Sequence, residues 1–217
     1  MSYKAVVLHS GGLDSTVCLL MAIEQGRKVI SLGIDYGQKH RIELEYARQQ
    51  CTTHKVERKV LKVEWDKPPR SHPIDRTIDE MRREISPAFL PGRNVVFLSL
   101  ACAEAVGIGA EEVWVGVNAI DYSGYPDCQP RFVDAFKEMI KEAIPVTPTV
   151  IAPLLSMSKP AIAQEAYRLG LRQGDTWCCY QPVVTRRGIE PCRHCDACIL
   201  NEYAWNTALR KISAQTE

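Results

Sequence analysis

The sequence predicts an α/β protein: a doubly wound, five-stranded parallel sheet with a small metal-binding region near the carboxyl end. Apolar runs of strand length alternate with helical patterns from Lys4 to about Leu169. That alternation builds parallel sheets through right-handed crossovers. A glycine pair, Gly11-Gly12, follows the first of those runs, and five cysteines crowd between Cys178 and Cys198.

Lys4 to His9 reads as a buried strand, because Ala5-Val6-Val7-Leu8 is continuously apolar and glycines follow closely. From Asp14 to about Gln25, Val17, Leu20 and Met21 recur at helical spacing until Gly26 ends the pattern. Val29 to Tyr36 is a second strand, Arg41 to about His54 a polar-faced helix, and Val56 to Val63 a third strand. Five prolines break the pattern between Glu64 and Gly92, so a long loop is expected there, of the kind that often carries function. Asn94 to Val106 then reads as a helix, Val113 to Val117 as a strand, Asn118 to Pro130 as a loop and Arg131 to Ala143 as an amphipathic helix. Ile151 to Leu155 is expected as the fifth strand. Ser158 to Leu169 follows as a helix with Ser158 at its N-cap and Pro160 in its first turn. Ile199 to Ile212 closes the chain as a helix. On this pattern residues 1–172 form an α/β domain, with a long loop at 64–92, and residues 173–217 a metal-binding region with the terminal helix.

The chain has 217 residues, 46% hydrophobic and 24% charged, which excludes disorder, collagen and coiled coil. Lys and Arg number 27 against 26 Asp and Glu, a net charge of +1, so no broad basic surface and no nucleic-acid partner is expected. No run approaches the roughly 20 apolar residues of a membrane helix, and the start lacks a signal-peptide core. We therefore expect a cytoplasmic protein with small-molecule partners. In that reducing compartment nine cysteines, an odd count, do not suggest a disulfide framework.

Ser10-Gly11-Gly12-Leu13-Asp14-Ser15 lies where doubly wound sheets bind ligands, between the first strand and the first helix. Two glycines let backbone N–H groups approach an anion, the helix N-terminus adds partial positive charge, and Ser10, Ser15 and Thr16 add hydroxyls. We assign nucleotide binding to Leu8, His9, Ser10, Gly11, Gly12, Leu13, Asp14, Ser15, Thr16, Val17 and Cys18; Cys18 itself reads as core. Asp14 would repel a phosphate unless a cation lay between them, which suggests Mg²⁺ held jointly by the carboxylate and the phosphates; the alternative is that Asp14 caps the helix. Neither a Walker lysine motif nor a Gly-x-Gly-x-x-Gly fingerprint occurs. His9 and His40 flank this pocket and are assigned no proton transfer, and Cys128 reads as a small core cysteine.

Cys192-x-x-Cys195-x-x-Cys198 needs a fourth ligand, which Cys179 or Cys178 can supply. Four thiolates make a closed tetrahedral zinc site of the structural type. An iron–sulfur cluster is the rival, although the proline that follows such runs in ferredoxins is missing here. Lys159, just inside a helix N-terminus after a strand, either neutralises released pyrophosphate or simply faces solvent. Asp121 and Asp127, in a loop at a strand's carboxyl end, could accept from the N–H groups of a bound ligand, or could simply form turns.

Ser-Gly-Gly-x-Asp-Ser resembles the pyrophosphate-loop ATPases, which split ATP between its α and β phosphates and attach AMP to a substrate oxygen. Asp35-Tyr36-Gly37-Gln38-Lys39-His40 with Glu43, Pro91-Gly92-Arg93-Asn94, Gly116-Val117-Asn118, the stretch from Asp121 to Cys128 and Thr176-Trp177-Cys178-Cys179-Tyr180 are similar to the 7-cyano-7-deazaguanine synthase (QueC) family within that superfamily. The resemblance implies an adenine nucleotide alpha hydrolase-like fold and a ligase of queuosine biosynthesis. Its substrates would be 7-carboxy-7-deazaguanine, ammonia and ATP, its cofactors magnesium with ATP and one structural zinc per chain. It implies Cys179 as the first zinc ligand and makes Arg93 and Asn94 substrate or phosphate contacts. Cys178 stands where the family usually has serine, the stretch from Tyr180 to Pro191 is longer, and Asn201 to Trp205 replaces the family's usual residues. A homodimer remains open. The rivals are a tRNA-modifying, sulfur-transferring enzyme of the same superfamily, which needs a nucleic-acid footprint, and a zinc-ribbon binding module, which leaves the glycine pair without a purpose.

Overall fold

The computed structural model describes residues 3–65, 75–83, 85–86, 89–120 and 124–216. In β1 (Lys4–Leu8) Ala5 and Val7 enter one core and Val6 the other, all fully buried. Two-sided burial is why this run is apolar throughout instead of alternating. There follow α1 (Leu13–Glu24), β2 (Lys28–Asp35), α2 (Ile42–Thr53), β3 (Glu57–Lys62), α3 (Ile78–Arg83), α4 (Arg93–Gly107) and β4 (Glu112–Val115). A 3-10 turn at Pro126–Cys128 leads to α5 (Pro130–Ala143), β5 (Thr149–Ile151), α6 (Lys159–Arg168), the hairpin strands β6 (Val183–Thr185) and β7 (Gly188–Glu190), and α7 (Asp196–Thr216).

Five strands pair in parallel in the order β3-β2-β1-β4-β5. Val6 stands opposite Ile30 on β2 and Val113 on β4. The chain moves from β1 to one side of the sheet and later returns to the other, so the carboxyl end of β1 is the topological switch point, where such sheets bind ligands. On one face Leu19, Ile162, Ala204 and Trp205, from α1, α6 and α7, cover the sheet; on the other Leu98, Cys102, Val133 and Phe136 do so from α4 and α5. The terminal helix thus shares the main core.

Five elements differ from the sequence expectation. The expected long loop contains α3, whose start is a capping box: Thr77 N donates to Glu80 Oε2 at 2.7 Å, and Glu80 N donates back to Thr77 Oγ1 at 3.3 Å. β5 ends at Ile151 instead of spanning Ile151 to Leu155, because Pro153 has no N–H for the ladder; Leu154 is fully buried all the same. The stretch from Tyr180 to Pro191 holds the antiparallel β6–β7 pair. α7 begins at Asp196, three residues before Ile199, so Cys198 lies in its first turn. At α6, Ser158 Oγ accepts from Ala161 N at 3.4 Å, and Pro160 sits in the first turn. None of the described helices is long and apolar enough to cross a membrane. All nine cysteines are free thiols.

Candidate active site

Gly12 is the extended N-cap of α1, which places Asp14 inside the first helical turn and not at the cap. The loop is tied by its own hydroxyls. Ser10 N donates to Ser15 Oγ at 3.2 Å, the two serine oxygens lie 3.1 Å apart, and Thr16 Oγ1 donates to Gly12 O at 2.8 Å. Beneath it the buried His9 ring bridges Ser31 Oγ (3.0 Å) and Thr16 Oγ1 (3.1 Å). Burial, helped by the nearby Arg58 charge, pushes the His9 pKa down to about 3, so the ring is a neutral strut at physiological pH. Arg58 from β3 completes the support by donating to His9 O at 3.1 Å and Ser31 Oγ at 2.8 Å.

Gly11 has φ +98°, and a Cβ there would stand 2.1 Å from Glu43 O and 2.8 Å from Ala47 N. Both obstacles are α2 backbone, so nothing can swing aside. Gly11→Ala is therefore expected to separate the loop from α2, lowering the melting temperature and weakening ATP binding at least about tenfold. Thermal melting and nucleotide titration check this, and an alanine variant that matches wild type in both would show the contact to be slack. Gly116, just past β4, makes the same kind of approach to the Asp14 backbone, at 2.9 Å.

Lys159, the first residue of α6, places Nζ 2.6 Å from Asp14 Oδ2, with both side chains at most 20% exposed. A fixed cation thus stands beside the glycine loop. Asn118 positions the segment that carries it, donating from Nδ2 to Leu154 O at 2.9 Å and also to Met157 O. Leu8, His9, Ser10, Gly12, Leu13, Asp14, Ser15 and Lys159 line one cavity of about 320 Å³, together with Arg93 and Asn94. Val17 and Cys18 are fully buried in the core instead, and Thr16 is buried beneath the loop. Asp127 does not line this cavity; its Oδ2 accepts from Asn94 N at 3.1 Å, which ties the 3-10 turn to the start of α4. Asp121 lies outside the described residues.

The Sγ atoms of Cys179, Cys192, Cys195 and Cys198 all lie within 4.8 Å of one another, a set that can hold a metal ion. Its donor chemistry fits. Backbone N–H groups of Gln181 and Cys192 donate to Cys179 Sγ at 3.3 and 3.2 Å, and Cys195 N donates to Cys192 Sγ at 3.3 Å, bonds that favour thiolates. Cys178 is outside this group and lines the cavity. His194 turns away to Asp75, Nδ1 to Oδ1 at 3.1 Å.

A family model described as queuosine biosynthesis protein QueC matches residues 4–209. The chain belongs to the QueC family. It is 50% identical over 202 residues to 7-cyano-7-deazaguanine synthase 2 of Rhodopseudomonas palustris, covering 93% of this chain and 96% of the relative. It is 43% identical over 213 residues to the 7-cyano-7-deazaguanine synthase of Novosphingobium aromaticivorans, covering 94% and 90%. Among solved structures, the U34-tRNA thiolase NcsA of Methanococcus maripaludis, described with its [4Fe-4S] cluster, matches with a TM-score of 0.54 at 14% identity over 98% of this chain and 67% of that one. At that identity the likeness shows the shared fold alone.

The cavity of this QueC family member holds further polar groups that the motif reading left without a role. Glu43, 12% exposed, accepts from Gln38 Nε2 at 2.9 Å and lies 3.6 Å from His40 Nε2. Burial pushes its carboxyl up to about 7 against the pull of Gln38, Arg93 and Arg58. Arg76 and Asp196 also line the cavity, Nε to Oδ1 at 3.4 Å, joining the segment before α3 to the start of α7. Asp196 had a signal in its place between two ligand cysteines; Arg76 had none, because no local pattern tells where a loop folds back.

Proposed function

We propose that this chain is an ATP-dependent ligase that converts 7-carboxy-7-deazaguanine and ammonia into 7-cyano-7-deazaguanine in queuosine biosynthesis. The observation that carries the reading is the phosphate loop at the switch point, with Lys159 beside it, in a chain half identical to a synthase of that name. A carboxylate is a poor electrophile, and AMP transfer turns it into a mixed anhydride with a good leaving group. Ammonia then gives an amide. A second adenylation, on the amide oxygen, lets AMP leave as the nitrile forms.

In this scheme the hydroxyls of Ser10 and Ser15, the positive end of α1 and the Lys159 ammonium stabilise charge on the departing pyrophosphate, the largest contribution such a site makes. Magnesium would come with ATP and neutralise its phosphates beside Asp14. Zinc, one per chain, is the ion we assign to Cys179, Cys192, Cys195 and Cys198; four thiolates fill a tetrahedron and leave no position for substrate. We place the chemistry in residues 1–172 and the fixing of one cavity wall in residues 173–217. Small molecules suffice as partners, no step requires a tRNA or a second copy, and nine cysteines outside any disulfide suit the cytoplasm.

The stoichiometry tests this. Carboxylate to nitrile removes two oxygens, so two AMP and two pyrophosphate are expected per product. With limiting ATP the primary amide should accumulate, and isolated amide given fresh ATP without ammonia should become nitrile with one AMP. ADP as the nucleotide product, or an amide that never converts, would falsify the reading.

A further inference from the structure

We propose that Glu43 is the group that holds ammonium in the cavity, takes its proton to free the nucleophile, and later removes the proton whose loss makes the nitrile. The inference rests on the ligase reading above and extends it by assigning the site that handles nitrogen.

Glu43 sits in the first turn of α2 and lines the same cavity as Ser10, Ser15 and Lys159. Its own carbonyl is the atom against which Gly11 packs, so the backbone that carries this carboxylate is locked to the phosphate loop. The other described carboxylates around the site have different work. Asp14 pairs with Lys159, Asp127 holds the start of α4, and Asp196 faces Arg76 and Ser86. Glu43 instead takes its hydrogen bond from a neutral amide, Gln38, with His40 at its other oxygen. The charged and titratable groups facing it are Arg93 from α4, Arg58 from β3, and His40 and Tyr36 from the segment after β2. A carboxyl that burial lifts to about 7 is present in both forms near neutrality, as a group that accepts and returns protons must be. Tyr36, Trp177 and Tyr180 line the same cavity, and aromatic faces suit a small cation.

The protons balance as follows. The Glu43 carboxylate takes one proton from ammonium, and the freed nitrogen lone pair forms the C–N bond to the acyl carbon. The C–O bond to AMP breaks with its electron pair going to the phosphate, and the second surplus N–H proton passes to that departing phosphate. Glu43 returns its proton to water. After the amide oxygen is adenylated, one N–H proton is lost to water to leave the imidate. Glu43 removes the last one, and that electron pair forms the third C–N bond as AMP departs. The nitrogen in the second stage is the one delivered in the first, so a base placed for one serves both.

The test is Glu43→Gln in the full, metal-loaded protein, with the half-reactions measured separately. Carboxylate-dependent exchange of pyrophosphate into ATP should stay within about threefold of wild type, while amide formation from ammonium and amide-to-nitrile conversion each fall at least about 10²-fold. Hydroxylamine, largely unprotonated at neutral pH, needs no base to free its lone pair and should still form the hydroxamate at near wild-type rate. Wild-type rates with ammonium, or an equal loss with hydroxylamine, would overturn the proposal. A parallel loss of exchange would also overturn it, because Glu43 would then be holding the heterocycle or the fold. Should the glutamine variant not fold, Glu43→Asp carries the test: its ammonium rate must fall more than its hydroxylamine rate. Absence of exchange in the wild-type enzyme would overturn the ligase reading, and this inference with it.

Discussion

Lys159→Ala is expected to leave the fold intact and to slow pyrophosphate release by about 10²–10³-fold, the loss typical of removing one donor aimed at developing charge. The ammonium sits 2.6 Å from Asp14 Oδ2, beside a loop whose residues Ser10, Gly12 and Ser15 line the same cavity. Removing it subtracts a positive charge and also exposes ATP to a carboxylate with 20% of its side chain accessible. The KM for ATP should therefore rise as kcat falls. α6 should survive, because its start is held by Ser158 and not by Lys159.

The pair makes a sharper test than either residue alone. Asp14→Asn should slow the reaction by about tenfold, since Lys159 stays but loses the group that aims it. Adding Asp14→Asn to Lys159→Ala should recover part of the lost activity, because the repulsive carboxylate is gone. Such non-additivity is the signature of two charges acting as a unit. If the two losses simply multiply, Asp14 works independently, and a direct role on magnesium explains it better than the ion pair. Near wild-type turnover of Lys159→Ala would remove this lysine from the mechanism.

Much of this site was legible because its chemistry is local in sequence. The Gly11-Gly12 loop, the serines and Asp14 occupy six consecutive positions, and the buried strand before them is readable from Ala5 to Leu8. The parallel sheet and its helices followed from alternation alone. What stayed hidden was non-local. Lys159 stood out by its place at a helix start after a strand, but its pairing with Asp14, 145 residues away, depends on the return of the chain through β5, which no spacing reveals. For Asp127 the sequence left a ligand contact and a turn equally open; it lies in a 3-10 turn, and its carboxylate serves the backbone of Asn94. α3 is a different kind of miss. Thr77 and Glu80 form a readable capping box, but the prolines around them outweighed it.

Cys195→Ser is expected to cost the protein its metal and much of its stability at once, because four sulfurs within 4.8 Å of one another can keep their thiolates together only around a cation. Structural zinc binding is worth roughly 10–16 kcal/mol in small finger peptides, so losing one ligand of four should lower the melting temperature steeply and lead to aggregation. Cys179→Ser should do the same, while Cys178→Ser keeps the metal, since Cys178 lies in the cavity wall and outside the group. The effect should also reach the nucleotide. Trp177 Nε1 donates to Cys179 O at 2.7 Å, and Trp177 N donates to Gly11 O at 2.9 Å, so the ligand loop is tied to the phosphate loop through one residue. Stripping the metal from wild-type protein with a chelator should therefore weaken ATP binding while the main core, built on α1, α4 and α6, still gives a helical spectrum. Elemental analysis, melting curves and ATP titration on the same samples decide it. A Cys195→Ser protein with full metal and wild-type melting would remove that cysteine from the site. A brown protein containing iron would replace zinc with a cluster, and an ATP affinity indifferent to the metal would break the link from Cys179 through Trp177 to Gly11.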